Sequence, residues 1–357
     1  MSNAIRSLIR RAPTQPALVL LAVEALVAPT SAQWILEDAR TEIGSLGGGP
    51  TAQHVITRPG SYVLRQNLVG VSGKSGILVM ADHVTIDLNG YRLEGGSGTV
   101  HGITDGGTGV VNVAVMNGSL VDWGQDALAL SNSQFGLIDD LVITESNQGM
   151  NLGSDFLVHD YSVRLCLTDG IRAGQGSSFL DGSCKGNVGH GIQILNVPSG
   201  QSGTLIADSS FVENGVSLTN GSLIVRCDFE HNDTNPTPGQ ALCQGSRMLV
   251  IDSGFRAETF SYDSYGISSN NSCLAFGNEF HGFLTGILTG NRSWIRDNRF
   301  VACQTSIQSI GGSLITGNTS ISSANHYQFT GTDSYGEVLN VGGSFLNDSN
   351  PWANLKF

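Results

Sequence analysis

The sequence predicts an all-β fold, a single-stranded right-handed parallel β-helix of about eleven coils with a short N-terminal capping helix. Three observations lead to this prediction: 47 glycines among 357 residues, only 13% charged residues, and an internal repeat of 20 to 26 residues. Globular domains average about 7% glycine and about 25% charged residues, and a glycine costs about 1 kcal/mol inside a helix. A mostly helical protein is therefore not expected. The 40% of hydrophobic residues are enough to build a core, which argues against a disordered chain.

The first 32 residues have the pattern of a secretory signal peptide. Arg6, Arg10 and Arg11 precede an apolar run at 17–28, and small residues at 30–32 supply a cleavage site. We therefore expect a protein that is secreted, or held at the cell surface or in the periplasm. An amphipathic N-terminal helix is the alternative, because one glutamate interrupts the apolar run. No later stretch of the sequence is apolar over the roughly 18 residues that a membrane span needs.

Net charge and the cysteine and histidine patterns narrow the partners and cofactors. The charge of −12 argues against a nucleic-acid partner, which requires a basic surface. The six cysteines form no CxxC pair, so a metal cluster is not expected, although disulfides between neighbouring coils are compatible with export. His159, His231, His281 and His326 keep no constant offset in the repeat and are expected at surface or turn positions. The sequence sets no oligomeric state.

Both ends of the predicted β-helix need a cover, because an open coil exposes unpaired backbone groups and core side chains. Residues 33–60 are predicted to form the N-terminal cap, with the capping helix from Trp34 to Leu46. Residues 324–357 lose the repeat and are predicted to form the C-terminal cap and tail.

The β-helix itself is predicted for residues 61–323, where a small residue followed by an aliphatic one marks each coil. The eleven pairs are Gly76-Ile77, Gly102-Ile103, Ala127-Leu128, Gly149-Met150, Gly170-Ile171, Gly191-Ile192, Gly215-Val216, Ala241-Leu242, Gly266-Ile267, Gly286-Ile287 and Ser306-Ile307. A period in the low twenties indicates a solenoid. The intervening segments are rich in Ser, Asn, Asp and Gly, which are poor helix formers, so a leucine-rich repeat is less compatible than a β-helix.

A second pattern predicts a stacked aromatic ladder inside the β-helix. A large apolar residue is followed six positions later by phenylalanine in Leu205/Phe211, Leu223/Phe229, Leu249/Phe255, Leu274/Phe280 and Trp294/Phe300. Strands on successive coils lie about 4.8 Å apart, so equivalent residues stack. Asp208, Asp252 and Asp297 each precede a ladder phenylalanine by three and are expected to cap turns. Calcium is the candidate ligand there, since oxygen-rich turns suit it; no other cofactor is predicted.

Two segments resemble the opening coils of secreted right-handed parallel β-helix repeat proteins of the pectin-lyase-like superfamily. They are residues 56–64 (ITRPGSYVL) and 84–91 (VTIDLNGY), and the tail 350–354 (NPWAN) resembles the C-terminus of a planctomycete-type group in that superfamily. The resemblance extends from about residue 53 to the end. It implies the fold, but that group has no established activity. The wider superfamily includes polysaccharide lyases, hydrolases, epimerases and adhesins, and fold alone does not assign a reaction.

Catalytic motifs of the superfamily are matched only in fragments. Polygalacturonase-like hydrolases carry Asn-Thr-Asp, an Asp pair, Gly-His-Gly and Arg-Ile-Lys in that order. Here the pair Asp139-Asp140 comes first, Thr168-Asp169-Gly170 and Gly189-His190-Gly191 follow, and Arg-Ile-Lys is absent. The pectate-lyase string Arg-x-Pro-x-x-Arg is also absent. Both Gly-containing fragments coincide with anchors of the repeat, so the repeat explains them better than a hydrolase motif does.

Repeat geometry, in contrast, predicts a candidate catalytic cluster of Asp126, Asp169, Arg172 and His190. The residue before each small anchor should form a stack, which places Asp169 and His190 one coil apart. Asp126 and Asp169 should lie two coils apart, about 9.6 Å at the backbone, near the upper end of the roughly 6.5–9.5 Å between the carboxyl groups of inverting glycosidases. Arg172 follows the inward-pointing Ile171 and should turn outward on the same flank. A solvated polar ladder at a turn is the alternative.

Two functions therefore remain open after the sequence analysis. The first is a secreted protein that binds an extracellular polysaccharide and cleaves it as a lyase or glycoside hydrolase. The second is a non-catalytic surface or adhesive β-helix scaffold. A polysaccharide enzyme should concentrate ionisable and aromatic side chains on one outward strip, whereas a scaffold should not.

Overall fold

The computed structural model describes residues 39–195, 203–214, 217–218, 221–231, 241–257, 265–330, 332–340 and 352–357. The predicted signal peptide at 1–32 and the first part of the predicted capping helix lie outside these residues. In the described part of the chain all strand pairing is parallel and falls into two sheets. Each turn of the chain adds one strand to sheet 1 and, in most turns, two strands to sheet 2.

Sheet 1 has 13 strands, each paired with its equivalent in the preceding and following turn. Its strands are Ala52–Ile56, Ser75–Val79, Ile103–Thr104, Asp126–Gln134, Gln148–Ser154, Ile171–Ala173, Ile192–Ile194, Ser217–Leu218, Ala241–Gly245, Tyr265–Asn271, Thr285–Asn291, Thr305–Ser309 and Asn325–Phe329. The chain is therefore a parallel β-solenoid of about 13 turns.

Sheet 2 has 25 strands, arranged as two ladders joined at a bend. Its strands are Thr41–Glu42, Gly60–Val63, Leu68–Val69, Val84–Asp87, Arg92–Glu94, Val113–Val121, Leu137–Thr144, Leu157–Arg164, Ser178–Leu180, Ser183–Lys185, Thr204–Ala207, Ser210–Val212, Ser222–Val225, Asp228–His231, Leu249–Ile251, Gly254–Ala257, Leu274–Phe276, Glu279–His281, Trp294–Arg296, Arg299–Val301, Leu314–Thr316, Thr319–Ile321, Ser334–Tyr335, Val338–Asn340 and Asn354–Lys356. The side chains that point between the sheets form one continuous core.

The predicted number of eleven coils is too low by two turns. The additional strands, Ala52–Ile56 and Asn325–Phe329, lie in segments predicted as caps. His54 pairs with Ile77, and Tyr327 pairs with Ile307, at the position that an aliphatic residue occupies in most other turns. Both end turns therefore lack the small-aliphatic pair by which the coils are counted in the sequence.

The N-terminal capping helix is not present in the described residues 39–46. Thr41–Glu42 is instead an edge strand that pairs with Tyr62 and Val63, and it leads into a single 3-10 turn at Ile43–Ser45. Ile43 is fully buried and fills the end of the core. Pairing with the sheet satisfies the backbone here, while glycine and serine in the turn disfavour a longer helix.

The predicted stacking of the anchors holds except for two local slips. Ile103, Leu128, Met150 and Ile171 pair in register through successive turns. At the pair Gly215-Val216, however, Ser217 takes the aligned position, because Leu218 pairs with Gln193 and Ser217 with Cys243. At the pair Ala241-Leu242, Cys243 rather than Leu242 aligns with Ile267. Because turns differ in length, a small-aliphatic pair alone does not show which of two neighbouring residues enters the stack.

The bend between the two ladders of sheet 2 uses a left-handed residue in each of ten successive turns. Positive φ angles of 47° to 68° occur there at Asn117, Asp140, Asp160, Asp181, Asp208, Arg226, Asp252, Gly277, Asp297 and Gly317. Asn, Asp and Gly tolerate this conformation better than other residues. Asp208, Asp252 and Asp297 thus lie at turns, as expected, and they serve the turn by adopting the left-handed backbone conformation. Asp208 also forms an ion pair with Arg226, and Asp297 with Arg296, which does not favour calcium at either carboxylate.

The predicted phenylalanine ladder is confirmed. Phe211, Phe229, Phe255, Phe280 and Phe300 are buried and stack with centroid distances of 4.8 to 5.1 Å. The large apolar residues that precede them point outward instead. Of these, Leu223 and Trp294 are each 37% exposed, and they belong to an apolar row along the first ladder of sheet 2.

Buried asparagines form a second internal ladder. Asn278, Asn298, Asn318 and Asn354 follow one another, and each side-chain oxygen of the last three accepts from the backbone and side-chain nitrogens of the preceding member. Asn187 and Asn214 repeat this arrangement nearer the N-terminus. These side chains satisfy backbone groups at the corners of the core.

All six cysteines lie in the described part of the chain, are buried, and take part in no disulfide. Burial raises the pKa of Cys227 to about 11, so this thiol stays protonated at neutral pH. Among the described residues, no helix is long and apolar enough to cross a membrane.

Candidate functional site

One row of polar residues follows the edge of sheet 1 through five successive turns. It lies two residues before the aligned aliphatic positions and contains His101, Asp126, Gln148, Asp169 and His190. Because like positions stack at the strand spacing of about 4.8 Å, the row extends over about 19 Å. This is the outward flank that the repeat predicts.

Asp169, Arg172 and His190 come together as predicted, and we call them the Asp169 cluster. The Nδ1 atom of His190 lies 2.7 Å from Oδ1 of Asp169, and the backbone N–H of His190 donates to the same oxygen at 2.8 Å. The Nε atom of Arg172 lies 3.7 Å from Oδ2 of Asp169. The three side chains are 15% to 37% exposed, so the cluster is accessible from solvent.

The protonation states within the Asp169 cluster follow from this geometry. Burial raises the pKa of Asp169, but the hydrogen bonds from His190 and the nearby charges of His190 and Arg172 outweigh it, and the net pKa is lowered. Asp169 is thus a carboxylate at neutral pH and can only accept hydrogen bonds. In neutral His190, Nδ1 must therefore carry the proton, which leaves Nε2 as a free base.

Arg172 contributes an unsatisfied donor to the cluster. Its Nε atom is buried and makes no hydrogen bond, although the side chain as a whole is 37% exposed. A buried donor without a partner costs about 1–3 kcal/mol. Because Nε is closed off from solvent, only the exposed part of the Arg172 side chain can meet a ligand beside His190.

Asp126 does not join the Asp169 cluster, because the turn of Gln148 lies between them. Gln148 is buried, with its amide directed to the carbonyl oxygen of Met150. Asp126 instead accepts a hydrogen bond from Nδ2 of Asn151 at 3.2 Å and lies 4.0 Å from Nδ1 of His101. We call His101, Asp126 and Asn151 the His101 cluster.

His101 has the opposite tautomer from His190. Burial lowers the pKa of His101, and the attraction of Asp126 offsets this only in part. The backbone N–H of Asp126 donates to Nδ1 of His101 at 3.3 Å. Neutral His101 therefore carries its proton on Nε2 and offers a donor, whereas His190 offers an acceptor.

A cavity of about 550 Å³ opens on sheet 1 over the His101 cluster. Its walls include His101, Asp126 and Asn151 together with Leu78 and Asp105. Asp105 is buried and engaged, since its carboxylate accepts from the hydroxyl of Ser133 in the following turn and from the backbone N–H of Gly107. The Asp169 cluster lies beyond this cavity on the same sheet, where Arg172 pairs in register with Asn151.

Sequence reasoning missed His101 and Asn151, although a signal existed for the first. His101 precedes the recognised pair Gly102-Ile103 and therefore occupies the same row as Asp126. Asn151 is the outward residue between two buried ones, as Arg172 is in the next turn. Alternation along the strand identifies its face, but no sequence pattern shows that its amide contacts Asp126.

The fold is similar to that of known β-helix proteins. The A-module of a mannuronan C-5 epimerase from Azotobacter vinelandii superposes with a TM-score of 0.55 at 13% identity, covering 81% of this chain and 89% of the module. A DFA-IIIase from Arthrobacter chlorophenolicus A6 gives a TM-score of 0.42 at 13% identity, covering 85% of this chain and 88% of that one. The surface protein and adhesin PfbA of Streptococcus pneumoniae gives 0.32 at 9% identity, covering 85% and 91%. No protein family and no curated protein matches the sequence. The chain is thus a parallel β-solenoid that shares its fold, at low sequence identity, with the epimerase module.

Proposed function

We propose that the chain is an exported, right-handed β-solenoid that binds an extended polysaccharide along sheet 1 and acts on it by acid–base chemistry of the lyase or hydrolase type. The observation that carries this proposal is the His190–Asp169 pair at 2.7 Å with Arg172 beside it. A histidine oriented by a carboxylate, with its second nitrogen free, is a common general base. Export follows from the signal-peptide pattern at 1–32.

The arrangement along the solenoid supports a chain-like ligand. The polar row and the outward residues Asn151 and Arg172 follow one face through several turns, and the cavity lies at one end of that row. Arg172 would bind an acidic or hydroxyl group of the sugar, and the donor on His101 would bind a second sugar unit. The chain as a whole carries a net charge of −12, so this local guanidinium is the feature that would offset repulsion of a polyuronate.

Within the Asp169 cluster, His190 would remove a proton from the substrate or from an attacking water. Asp169 would hold the ring orientation and stabilise the imidazolium as it forms. Arg172 would stabilise negative charge that develops on an adjacent oxygen. Both reactions need the base. In a lyase, the imidazolium of His190 would return its proton to the departing glycosidic oxygen. In a hydrolase, that oxygen would take its proton from a second acid or from water, and the sugar develops positive charge, so the step assigned to Arg172 belongs to the lyase.

An adhesive scaffold without catalysis is the second candidate, and the apolar row on sheet 2 favours it. Leu157 and Leu314 are 41% and 40% exposed and belong with Leu223 and Trp294 to one row. Exposed apolar surface that continues over several turns is typical of contact surfaces.

The test is a screen of the purified protein on acidic and neutral polysaccharides, with and without calcium. Reducing ends report hydrolysis, ultraviolet absorbance of unsaturated uronates reports a lyase, and affinity electrophoresis reports binding. The proposal predicts activity that is lost in Asp169→Asn and His190→Gln. The matched control is His281→Gln, because His281 also contacts a carboxylate, that of Glu279 at 3.0 Å, but lies on sheet 2.

Three results would overturn the proposal or part of it. Absence of both activity and retention by every glycan contradicts polysaccharide binding. Binding without any turnover supports the scaffold function instead. Activity that survives in both variants of the Asp169 cluster removes the reaction from this site.

A further inference from the structure

His159 lies on the outer face of sheet 2 among aspartates from three successive turns. The register pairs His159 with Asp139 on the neighbouring strand, and both side chains point outward. Asp160 and Asp181 occupy the left-handed bend position in their own turns, with φ angles of 47° and 53°. The repeat therefore brings carboxylates from three turns around one imidazole, away from the candidate site on sheet 1.

Distances in this group suit ligands of one ion. The Nδ1 atom of His159 lies 2.9 Å from Oδ1 of Asp139 and 3.4 Å from Oδ2 of Asp160. One donor atom from each of these three residues lies within 4.8 Å of the other two. In a tetrahedral zinc site, bonds of about 2.1 Å place the ligand atoms about 3.4 Å apart. Small rotations of exposed side chains, without movement of the backbone, would give this geometry.

The second imidazole nitrogen is also engaged by a carboxylate. The Nε2 atom of His159 lies 3.5 Å from Oδ2 of Asp181. Metal-binding histidines usually donate their other N–H to a carboxylate or carbonyl, which fixes the tautomer and the ring orientation. Nδ1 faces Asp139 and Asp160, which would bind the same ion, and Nε2 faces Asp181, which would orient the ring.

The donor set points to a zinc-class ion rather than to calcium. Calcium prefers six to eight oxygen ligands, whereas an imidazole nitrogen with carboxylate oxygens suits zinc and its first-row neighbours. The His159 and Asp139 side chains are 40% and 38% exposed, so an ion can enter from solvent and a water can complete the coordination.

We propose that Asp139, His159 and Asp160 bind one divalent ion of the zinc class on the outer face of sheet 2, with Asp181 orienting the imidazole. Such an ion would add a link between strands that are already connected by the backbone ladder and by the contact between His159 and Asp139. It would also neutralise the negative charges of Asp139 and Asp160. The proposal does not depend on the function assigned to sheet 1.

Calorimetric titration of the metal-free protein with zinc chloride tests the site, and cobalt(II) absorbance reports the coordination. We expect one equivalent of zinc, with an affinity that falls at least about tenfold in His159→Gln and in Asp160→Asn. His281→Gln is the matched control, because His281 is 39% exposed and has the single carboxylate partner Glu279. Zinc should raise the melting temperature of the unaltered protein and of this control, but not that of the two site variants.

Several outcomes would refute the metal site. If the unaltered protein shows no saturable binding, the group is an ordinary histidine–aspartate ion pair. The same conclusion follows if His159→Gln and Asp160→Asn both keep the original affinity. An equal loss in His281→Gln would show that zinc binds surface histidines without selectivity.

Discussion

The Nδ1 atom of His190 lies 2.7 Å from Oδ1 of Asp169, a residue one turn earlier in the solenoid. The two side chains are 21 residues apart in the sequence and meet because one turn of the repeat has that length. The same oxygen accepts the backbone N–H of His190, so Asp169 both orients the imidazole and ties two turns together. The same carboxylate therefore contributes both to the stability of the fold and to the orientation of His190.

Asp169→Asn should destabilise the protein by roughly 1–3 kcal/mol at pH 7, the usual value of hydrogen bonds to a charged group. Because the pKa of Asp169 is lowered in the folded protein, its contribution is complete above the ordinary aspartate pKa of about 3.9. It is then lost as the pH falls through the lowered pKa. Urea denaturation of both proteins at pH 7 and pH 3 should show the difference shrinking at the lower pH.

Asp208→Asn is the control for this first prediction. Asp208 also has a basic partner, Arg226, and a lowered pKa, but the pair is exposed at a bend of sheet 2. Exposed ion pairs contribute little, so its loss should be smaller than that of Asp169. An Asp169→Asn protein as stable as the original at pH 7 would contradict the structural role of the carboxylate.

The original protein should lose stability on mild acidification because of His101, and His101→Gln should lose less. Burial lowers the pKa of His101 in the folded protein, so below pH 6.5 the unfolded chain binds more protons than the folded one. The stability of the original protein should therefore fall as the pH drops from 6.5 toward the lowered pKa. His101→Gln lacks this component, and urea denaturation at pH 7 and pH 5 should show a weaker dependence. Identical pH dependence in the two proteins would contradict a neutral, buried His101.

Phe255→Ala should cost about 3–5 kcal/mol, the usual loss for a buried phenylalanine. Phe255 is 1% exposed and stacks between Phe229 at 4.9 Å and Phe280 at 4.8 Å. Phe211→Ala is the matched control, because Phe211 is the first of the five and stacks on Phe229 alone, with Cys184 at the equivalent position of the preceding turn. Urea denaturation should show a smaller loss for Phe211→Ala. Equal losses would indicate that stacking adds nothing beyond burial.

The sequence predicts those parts of the fold and site that depend on stacking in register. Asp169, His190 and the phenylalanine ladder follow from the repeat length alone. Asp126 shows the limit of that reasoning. Its place in the row is predicted correctly, but its contact is with the side chain of Asn151, and the repeat does not predict which side chains touch. The end turns are missed because the inward position there holds His54 or Tyr327 instead of an aliphatic residue.

His159 illustrates a second limit of sequence reasoning. Counted from the anchors on sheet 1, His159 does not share a constant offset with the other histidines, because the corner segments between the sheets differ in length from turn to turn. Measured from the strand of sheet 2, in contrast, His159 lies directly opposite Asp139. A polar cluster on one sheet is therefore visible in a sequence only when the repeat is indexed on that sheet.

The last prediction concerns the asparagine ladder, where Asn298→Asp should be more damaging than its size suggests. The Nδ2 atom of Asn298 donates to the carbonyl oxygens of Ala275 and Arg296 and to Oδ1 of Asn318, at 2.9 to 3.0 Å. An aspartate of the same shape would direct a buried negative charge at these acceptors. Losing the donors and burying the charge should cost more than about 3 kcal/mol at pH 7.

Protonation of the introduced carboxyl group should relieve part of this loss, because the neutral acid regains one donor. The difference between Asn298→Asp and the original protein should therefore narrow between pH 7 and pH 5, in urea denaturation at each pH. Asn270→Asp serves as the charge control, because Asn270 is exposed and the substitution adds the same charge at the surface. If Asn298→Asp were as stable as the original protein at pH 7, the asparagine ladder would not contribute to the stability of the core.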